Sequence, residues 1–304
     1  MKTAFLLHNP NAGEGCDSDD LQQVIEEAGF DCRQCELDEV EWKEQAHTAG
    51  FTVVAGGDGT VRKVAKELLN QAEVYQPLLA LLPMGTANNI SKSLRKAMAP
   101  QDIDQDTGLA DIAAGWHKDS QVSFDTGWVH GLSVPRFFIE STGFGIFPAL
   151  VQSMQKVDES LSDQPEERIE TALQMLLKLT GSYLPRQYTV EIDGKVVKGM
   201  FLSVEVMNIR ALGPNLELAP EADPGDGLFD VVLIGEADRE RLAAYVQNKL
   251  DRKHEPFPFT AIRGASISLQ TPEDAFHIDD ELTEIGASTL LQINVEAGRF
   301  AFLV

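Results

Sequence analysis

The sequence predicts two domains: an α/β half built on a doubly wound, mainly parallel sheet, then an antiparallel β half with inserted helices. Three observations carry this expectation. In the first hundred residues short, unbroken apolar runs alternate with helix-spaced patterns, and glycine-containing turns sit where the runs end. Beyond about Ser123 the texture changes to β runs joined by tight turns, Asp193-Gly194 foremost. A length of 304 residues exceeds what one core usually serves.

Ala4–His8 reads as the first strand and ends in the turn Asn9-Pro10-Asn11-Ala12-Gly13. Asp19–Ala28 carries apolar residues at helical spacing, and Gly29 stops it. Phe51–Ala55 and Leu78–Leu82 are apolar runs of the kind central parallel strands show. Gly56-Gly57-Asp58-Gly59-Thr60 follows the first of them and opens a helix with Val61, Val64, Ala65, Leu68 and Leu69 on its apolar side. Pro83-Met-Gly85-Thr86-Ala-Asn88-Asn89 follows the second and opens a helix from Ile90 to Met98. Ligand loops of such sheets gather at the carboxyl ends of the strands, so the three turns are expected to converge on one crevice. In the second half, strands are expected at Gln187–Ile192, Lys195–Gly199, Met200–Met207, Leu228–Ile234, Ile262–Leu269 and Ala275–Ile278. Helices are expected at Glu166–Leu179 and Arg239–Leu250, and the strands Leu290–Val295 and Phe300–Val304 fit either half.

Glycines in the 56–60 turn let the backbone approach a ligand closely, and the helix behind it points amide donors and a positive dipole end at the same place. Asp58 would repel a bare phosphate, so it points to a divalent cation between carboxylate and phosphate, or else to a helix cap. In the second loop Thr86 can bond a phosphate and Asn88 can fix the backbone, although the loop is equally compatible with a plain N-cap. Arg62, Lys63 and Lys66, and Lys92, Arg95 and Lys96, form two basic faces behind these turns. They can meet phosphate or an anionic membrane, or stay solvated.

The net charge of −23 argues against general nucleic-acid binding. No run of eighteen apolar residues exists, and the first ten residues read as a strand rather than a signal peptide, so a cytoplasmic protein is expected. Cys32-x-x-Cys35 lacks the second Cys/His pair of a zinc site, and with Cys16 it is expected to stay reduced.

The two glycine loops and their spacing resemble the diacylglycerol kinase catalytic-domain superfamily, in particular the bacterial soluble lipid kinases. Asn9–Gly13 resembles that family's opening nucleotide turn. Phe124-Asp125-Thr-Gly-Trp-Val129, Arg136-Phe-Phe-Ile-Glu140 and Gly143-Phe-Gly145 are similar to its crossover into the second domain. Pro220–Asp230 resembles its structural-metal segment, and His277-Ile-Asp-Asp-Glu281 its catalytic Asp-Gly-Glu motif. The resemblance implies a nucleotide-binding domain at 1–123, completed by the last strand 296–304, and a β-sandwich-like domain at 124–295. It implies ATP-dependent, Mg2+-dependent phosphorylation of a lipid hydroxyl in the cleft between domains, at the inner face of a membrane.

Nucleotide contacts would come from Asn9, Pro10, Asn11, Ala12 and Gly13, and from Gly56, Gly57, Asp58, Gly59 and Thr60 with Arg62 and Lys63. Gly85, Thr86, Asn88 and Asn89 would complete the set. Glu281 would be the general base, in an acidic cluster with Asp279, Asp280 and Glu284 whose repulsion is expected to raise a pKa. Asp58 and Asp125 would hold or orient the catalytic magnesium. Asp223, Asp226 and the Leu228 carbonyl would hold a structural one. Trp128, Phe137, Phe138, Phe144, Phe147 and Pro256–Phe259 are candidates for an acyl groove, or for core. The chain departs from the family at Asn89, where an aspartate is usual, although sphingosine kinases also lack it. It departs again at Arg62 and Lys63, where an asparagine and a glutamate are common, and at Asp280, which replaces a glycine in a turn that favours positive φ. These departures keep a nucleotide-binding pseudokinase or lipid sensor as an alternative. NAD kinase, which shares the GGDGT turn, is another, though its Asn-Glu and Gly-Ser-Thr-Ala signature is not seen. Exposed sheet edges make a homodimer a further expectation.

Overall fold

The computed structural model describes residues 2–9, 17–37, 42–69, 78–98, 108–157, 164–253, 255–256, 259, 261–270, 275–286 and 289–304. It divides into two compact units, Met1–Phe124 with Gly298–Val304, and Asp125–Ala297.

The first unit runs β1 (Thr3–His8), α1 (Ser18–Glu27), β2 (Asp31–Glu36), α2 (Trp42–Thr48), β3 (Phe51–Gly56), α3 (Asp58–Leu69), β4 (Leu78–Pro83), α4 (Asn89–Met98) and α5 (Leu109–Gly115). β2, β1, β3 and β4 lie parallel in that order. β3 is buried at every position, as an unbroken apolar run between two helix layers must be. The pairing of His8 with Ala55 and of Gly56 with Pro83 brings the ends of β1, β3 and β4 to one edge. Gly29, at φ 91°, ends α1 in a left-handed turn whose amide bonds the Glu26 carbonyl. Phe30 and Phe51 then pack edge-to-face at 5.1 Å beside Trp116, on one side of the sheet.

β2 has no apolar run to announce it; only Cys32 and Cys35 among its residues are buried. Three residues apart on a strand, they point to opposite faces, so this Cys-x-x-Cys is not a redox pair. Burial, aided by Glu26 and Asp31, pushes the Cys32 thiol up to about 12, which keeps it protonated and unreactive.

β5 (Gln121–His130) carries the chain into the second unit, followed by β6 (Arg136–Phe138), β7 (Ser141–Gly145), α6 (Ile146–Val157) and α7 (Pro165–Ser182). Next come β8 (Arg186–Ile192), β9 (Lys195–Met207), β10 (Ala211–Leu212), β11 (Leu216–Glu217), β12 (Phe229–Gly235) and α8 (Arg239–Leu250). β13 (Ile262–Gly264), β14 (Ser266–Gln270), β15 (Ala275–Ile278), β16 (Glu281–Glu284) and β17 (Leu290–Leu303) complete the chain. Asp193-Gly194 closes the β8–β9 hairpin with φ 45° and 80°, the geometry that its Asp-Gly step favours.

The β-sandwich-like unit buries Phe144, Tyr188, Val204, Phe276 and Ile293 in one core. α6, α7 and α8 contribute Phe147, Leu176 and Val246 to a second. Phe138, Phe144 and Phe147 are core residues and line no groove; Trp128 and Phe137 are half-buried and pack on each other at 6.0 Å. Phe257 and Pro258 of the other candidate stretch lie outside the described residues. The last two expected strands are one: β17 pairs antiparallel with β14 over Leu290–Asn294, and over Ala301–Leu303 it runs parallel to β4 in the first unit. Among the described residues no helix is long and apolar enough to cross a membrane.

Candidate active site

In the first unit two glycine loops are locked together at the carboxyl edge of the sheet. Gly57 and Gly85 touch backbone to backbone: a Cβ on Gly85 would lie 2.4 Å from the Gly57 Cα, and one on Gly57 would lie 2.8 Å from the Gly85 Cα. The Met84 amide bonds the Gly56 carbonyl at 3.0 Å. Asp58 is the first residue of α3, yet its carboxylate serves the other loop, accepting the Asn89 amide at 2.9 Å and the Ile90 amide at 3.0 Å. It therefore caps α4, a helix 31 residues further on, and not its own. Replacing Asp58 with alanine is expected to cost about 1 kcal/mol, measurable by chemical denaturation.

Asn88, at φ 53°, closes the second loop on itself: its Oδ1 accepts the Gly85 amide at 2.8 Å and its Nδ2 donates to the Gly85 carbonyl at 2.7 Å. Thr86 is exposed at the tip of that loop. Asn9 joins the group by donating its side-chain amide to the Thr60 hydroxyl at 3.0 Å. Pro10, Asn11, Ala12 and Gly13 lie outside the described residues. Arg62 is half-buried and Lys63 exposed in the second turn of α3, and Asn89 is buried.

In the second unit β15 and β16 form a hairpin around the turn Asp279-Asp280, with Glu281 at the start of β16. Asp279 is buried, and its carboxylate accepts the backbone amides of Ile139, Glu140 and Ser141 at 2.8–3.4 Å. The left-handed position of the turn is Asp279, at φ 51°, one residue before Asp280, so the non-glycine residue at 280 meets no such demand. Glu281 is exposed and paired at 2.5 Å with Arg136, whose other terminal nitrogen bonds the Thr283 hydroxyl at 2.6 Å. The acidic cluster is thus split, one carboxylate turned inward onto amides and another outward onto a guanidinium.

Asp125 is fully buried; its carboxylate accepts the Gly227 amide at 2.7 Å, and its own amide donates to the Pro224 carbonyl at 2.6 Å. It anchors the very loop that holds Asp223 and Asp226. Asn208 ties this anchor to the turn's neighbours by donating to the carbonyls of Asp125 (3.0 Å) and Ile139 (2.9 Å).

A family model described as the diacylglycerol kinase catalytic domain matches residues 3–122, and one described as the YegS C-terminal NAD kinase beta sandwich-like domain matches residues 156–289. The chain belongs to the diacylglycerol kinase superfamily. Among curated relatives, the diacylglycerol kinase of Bacillus subtilis (strain 168) is 26% identical over 97% of this chain and 89% of its own length. That of Staphylococcus haemolyticus (strain JCSC1435) is 27% identical over 93% and 92%. A crystal structure of a diacylglycerol kinase from Bacillus anthracis str. Sterne shares the fold with a TM-score of 0.70 at 22% identity, covering 99% of this chain and 96% of that one.

Kinase chemistry in the diacylglycerol kinase superfamily implies ATP as phosphoryl donor. In the segment expected to hold a structural cation, both carboxylates are engaged within the protein. Asp223 Oδ1 accepts the Gly225 amide at 3.0 Å, Asp226 Oδ1 accepts the Leu228 amide at 3.0 Å, and Arg263 pairs with Asp226 Oδ2. The donors close turns or neutralise a guanidinium, and no group of three or more His, Cys, Asp or Glu able to hold a metal occurs among the described residues.

Two residues of this diacylglycerol kinase-like site carried a signal that spacing alone does not decode. Arg136 is the cation beside a candidate base, and Glu205 is a lone carboxylate inside the apolar run Met200–Met207. Glu205 is fully buried and meets His277 Nε2 at 2.6 Å, while His277 Nδ1 reaches the Asp279 carbonyl at 2.6 Å. Burial alone would lower the His277 pKa; the charge and hydrogen bond of Glu205, with the Asp279 carbonyl, outweigh it and hold the imidazole above its ordinary value. The folded-state pKa is raised, so this stabilisation is fully present below the unfolded value of about 6.5 and is lost as pH rises through the folded one. Thermal melts across pH should show that decline in the wild type and a flatter profile in Glu205→Gln.

Proposed function

We propose that this protein transfers the γ-phosphoryl group of ATP to a hydroxyl of a diacylglycerol-like lipid, with Glu281 taking the hydroxyl proton. The observation that carries the reading is the Asp58 cap. It fastens the Gly56–Thr60 loop to the Gly85–Asn89 loop, so that amides at the start of α3 and α4 lie at one sheet edge. Asp58 takes the Asn89 and Ile90 amides, so a phosphate here would be drawn by the helix dipoles and the exposed backbone of the glycine turns. Thr86 and Asn9 add polar groups, and Arg62 and Lys63 add positive charge to α3.

In this reading Asp58 is the carboxylate that would hold or orient a magnesium ion accompanying ATP, which would supply neutralisation of phosphate charge. Each of its oxygens accepts one backbone amide, which fixes the carboxylate between the two loops. Asp279 sets the backbone around the acidic turn, Asp125 anchors the Pro224–Gly227 loop, and Glu281 acts on the acceptor. Phosphoryl transfer asks little covalent chemistry of a protein beyond positioning, charge neutralisation and a proton acceptor. A lipid acceptor would require the protein to work at a membrane surface, and ATP as donor fits the cytoplasmic side of it.

Radiolabelled ATP and magnesium offered with a panel of diacylglycerol, sphingoid base, polyprenol and NAD test this. Label in diacylglycerol is the expected result; label in NAD and in no lipid would overturn it. The Arg136 guanidinium seated on Glu281 favours one second reading, a catalytically restrained nucleotide-binding protein. That reading requires ATP binding with no acceptor phosphorylated, unaffected by Glu281→Gln.

A further inference from the structure

Three adjacent strands of the second unit place Glu205 on β9, Gly143 on β7 and His277 on β15 in one cross-strand row. The middle position has no side chain, and a Cβ there would lie 2.2 Å from Glu205 Oε2. The bare glycine is what lets a carboxylate and an imidazole from the flanking strands meet above it. Both side chains are buried: His277 is 2% exposed and Glu205 0%. Glu205 is held in turn by the Ser203 hydroxyl at 2.9 Å, and the Thr142 hydroxyl bonds the His277 carbonyl at 2.6 Å. The far nitrogen of the ring lies against the carbonyl of Asp279, an oxygen that can only accept, so Nδ1 carries a proton.

From this geometry we infer that Glu205 and His277 are positioning residues that hold the Asp279-Asp280-Glu281 turn through its first carbonyl. The inference rests on the reading of Glu281 as the base. Asp279 occupies a left-handed conformation that a non-glycine residue adopts at a cost. Two clamps hold it there: the amides of Ile139–Ser141 grip its carboxylate, and His277 grips its carbonyl. Glu205 orients the ring and compensates its charge, as the carboxylate partner of a histidine does elsewhere. Glu281 lies two residues beyond the second clamp, so the pitch of the turn sets where its carboxylate can reach.

Replacing a buried ion pair with apolar residues of similar volume commonly preserves stability, whereas removing one partner does not. The double variant Glu205→Leu/His277→Phe therefore separates folding from positioning. It is assayed as the full chain with magnesium, ATP and diacylglycerol in mixed micelles, alongside amide hydrogen exchange at Asp279–Glu281. The expected result is a cooperative melt near the wild-type temperature, an unchanged KM for ATP, a kcat lower by about 10- to 100-fold and faster exchange in the turn. Glu205→Gln keeps the shape of the pair and is expected to show the same changes at smaller amplitude. Wild-type kcat and wild-type exchange in either folded variant would overturn the inference. Glu281→Gln is measured beside them: full turnover in that variant rejects Glu281 as base, while exchange in the turn still decides whether the couple holds it.

Discussion

Glu281→Gln is expected to lower kcat for lipid phosphorylation by about 10²–10⁴-fold while leaving the KM for ATP and the melting temperature close to wild type. Glutamine keeps the volume of the side chain and an oxygen for Arg136, but cannot take a proton at neutral pH. The ion pair it weakens is exposed, and pairs of that kind contribute roughly 0–1 kcal/mol. Steady-state kinetics with labelled ATP, together with a thermal melt, check this. A variant that phosphorylates diacylglycerol at the wild-type rate would remove Glu281 from the reaction.

Gly85→Val should weaken nucleotide binding without touching any group proposed for proton transfer. The first added carbon would sit 2.4 Å from the Gly57 Cα and 2.9 Å from Asn88 Oδ1. One neighbour is backbone, and the other is the oxygen that closes the loop. The loops must separate, and the Asp58 cap, which spans them, stretches with them. Overpacking of this kind costs about 1–3 kcal/mol, which appears as a loss of roughly 5- to 150-fold in ATP affinity. Isothermal titration with ATP and magnesium measures it. Gly59→Ala is the comparison for stability of the free protein: its Cβ meets no atom within 4 Å, so its melt should match or exceed the wild type. Undiminished ATP affinity in Gly85→Val would show that the two loops do not form the nucleotide site.

Apolar runs announced β1, β3 and β4, and the glycines behind them announced the turns, because a buried parallel strand needs an unbroken apolar surface and a tight turn needs permissive backbone. β2 was silent, since an edge strand buries only Cys32 and Cys35 and leaves no period to detect. α6 was missed because Phe144–Leu150 is apolar throughout, and such a run does not distinguish strand from buried helix until Gly145, at φ 97°, breaks it. Neither the reach of Asp58 to α4 nor the seat of Arg136 on Glu281 follows from spacing. The residues involved are 31 and 145 apart, and no local period encodes a partner at that distance.

By itself, the order of residues determined where the apolar strands and their glycine turns fall, the two-part architecture and the superfamily, because burial and backbone permissiveness are local properties of a chain. Tertiary structure alone decided which acidic groups are spent on amides, which on guanidinium groups and which stay exposed. Asp279, Asp226 and Glu281 share one side-chain chemistry; the partner that packing brings to each determines what that chemistry can do.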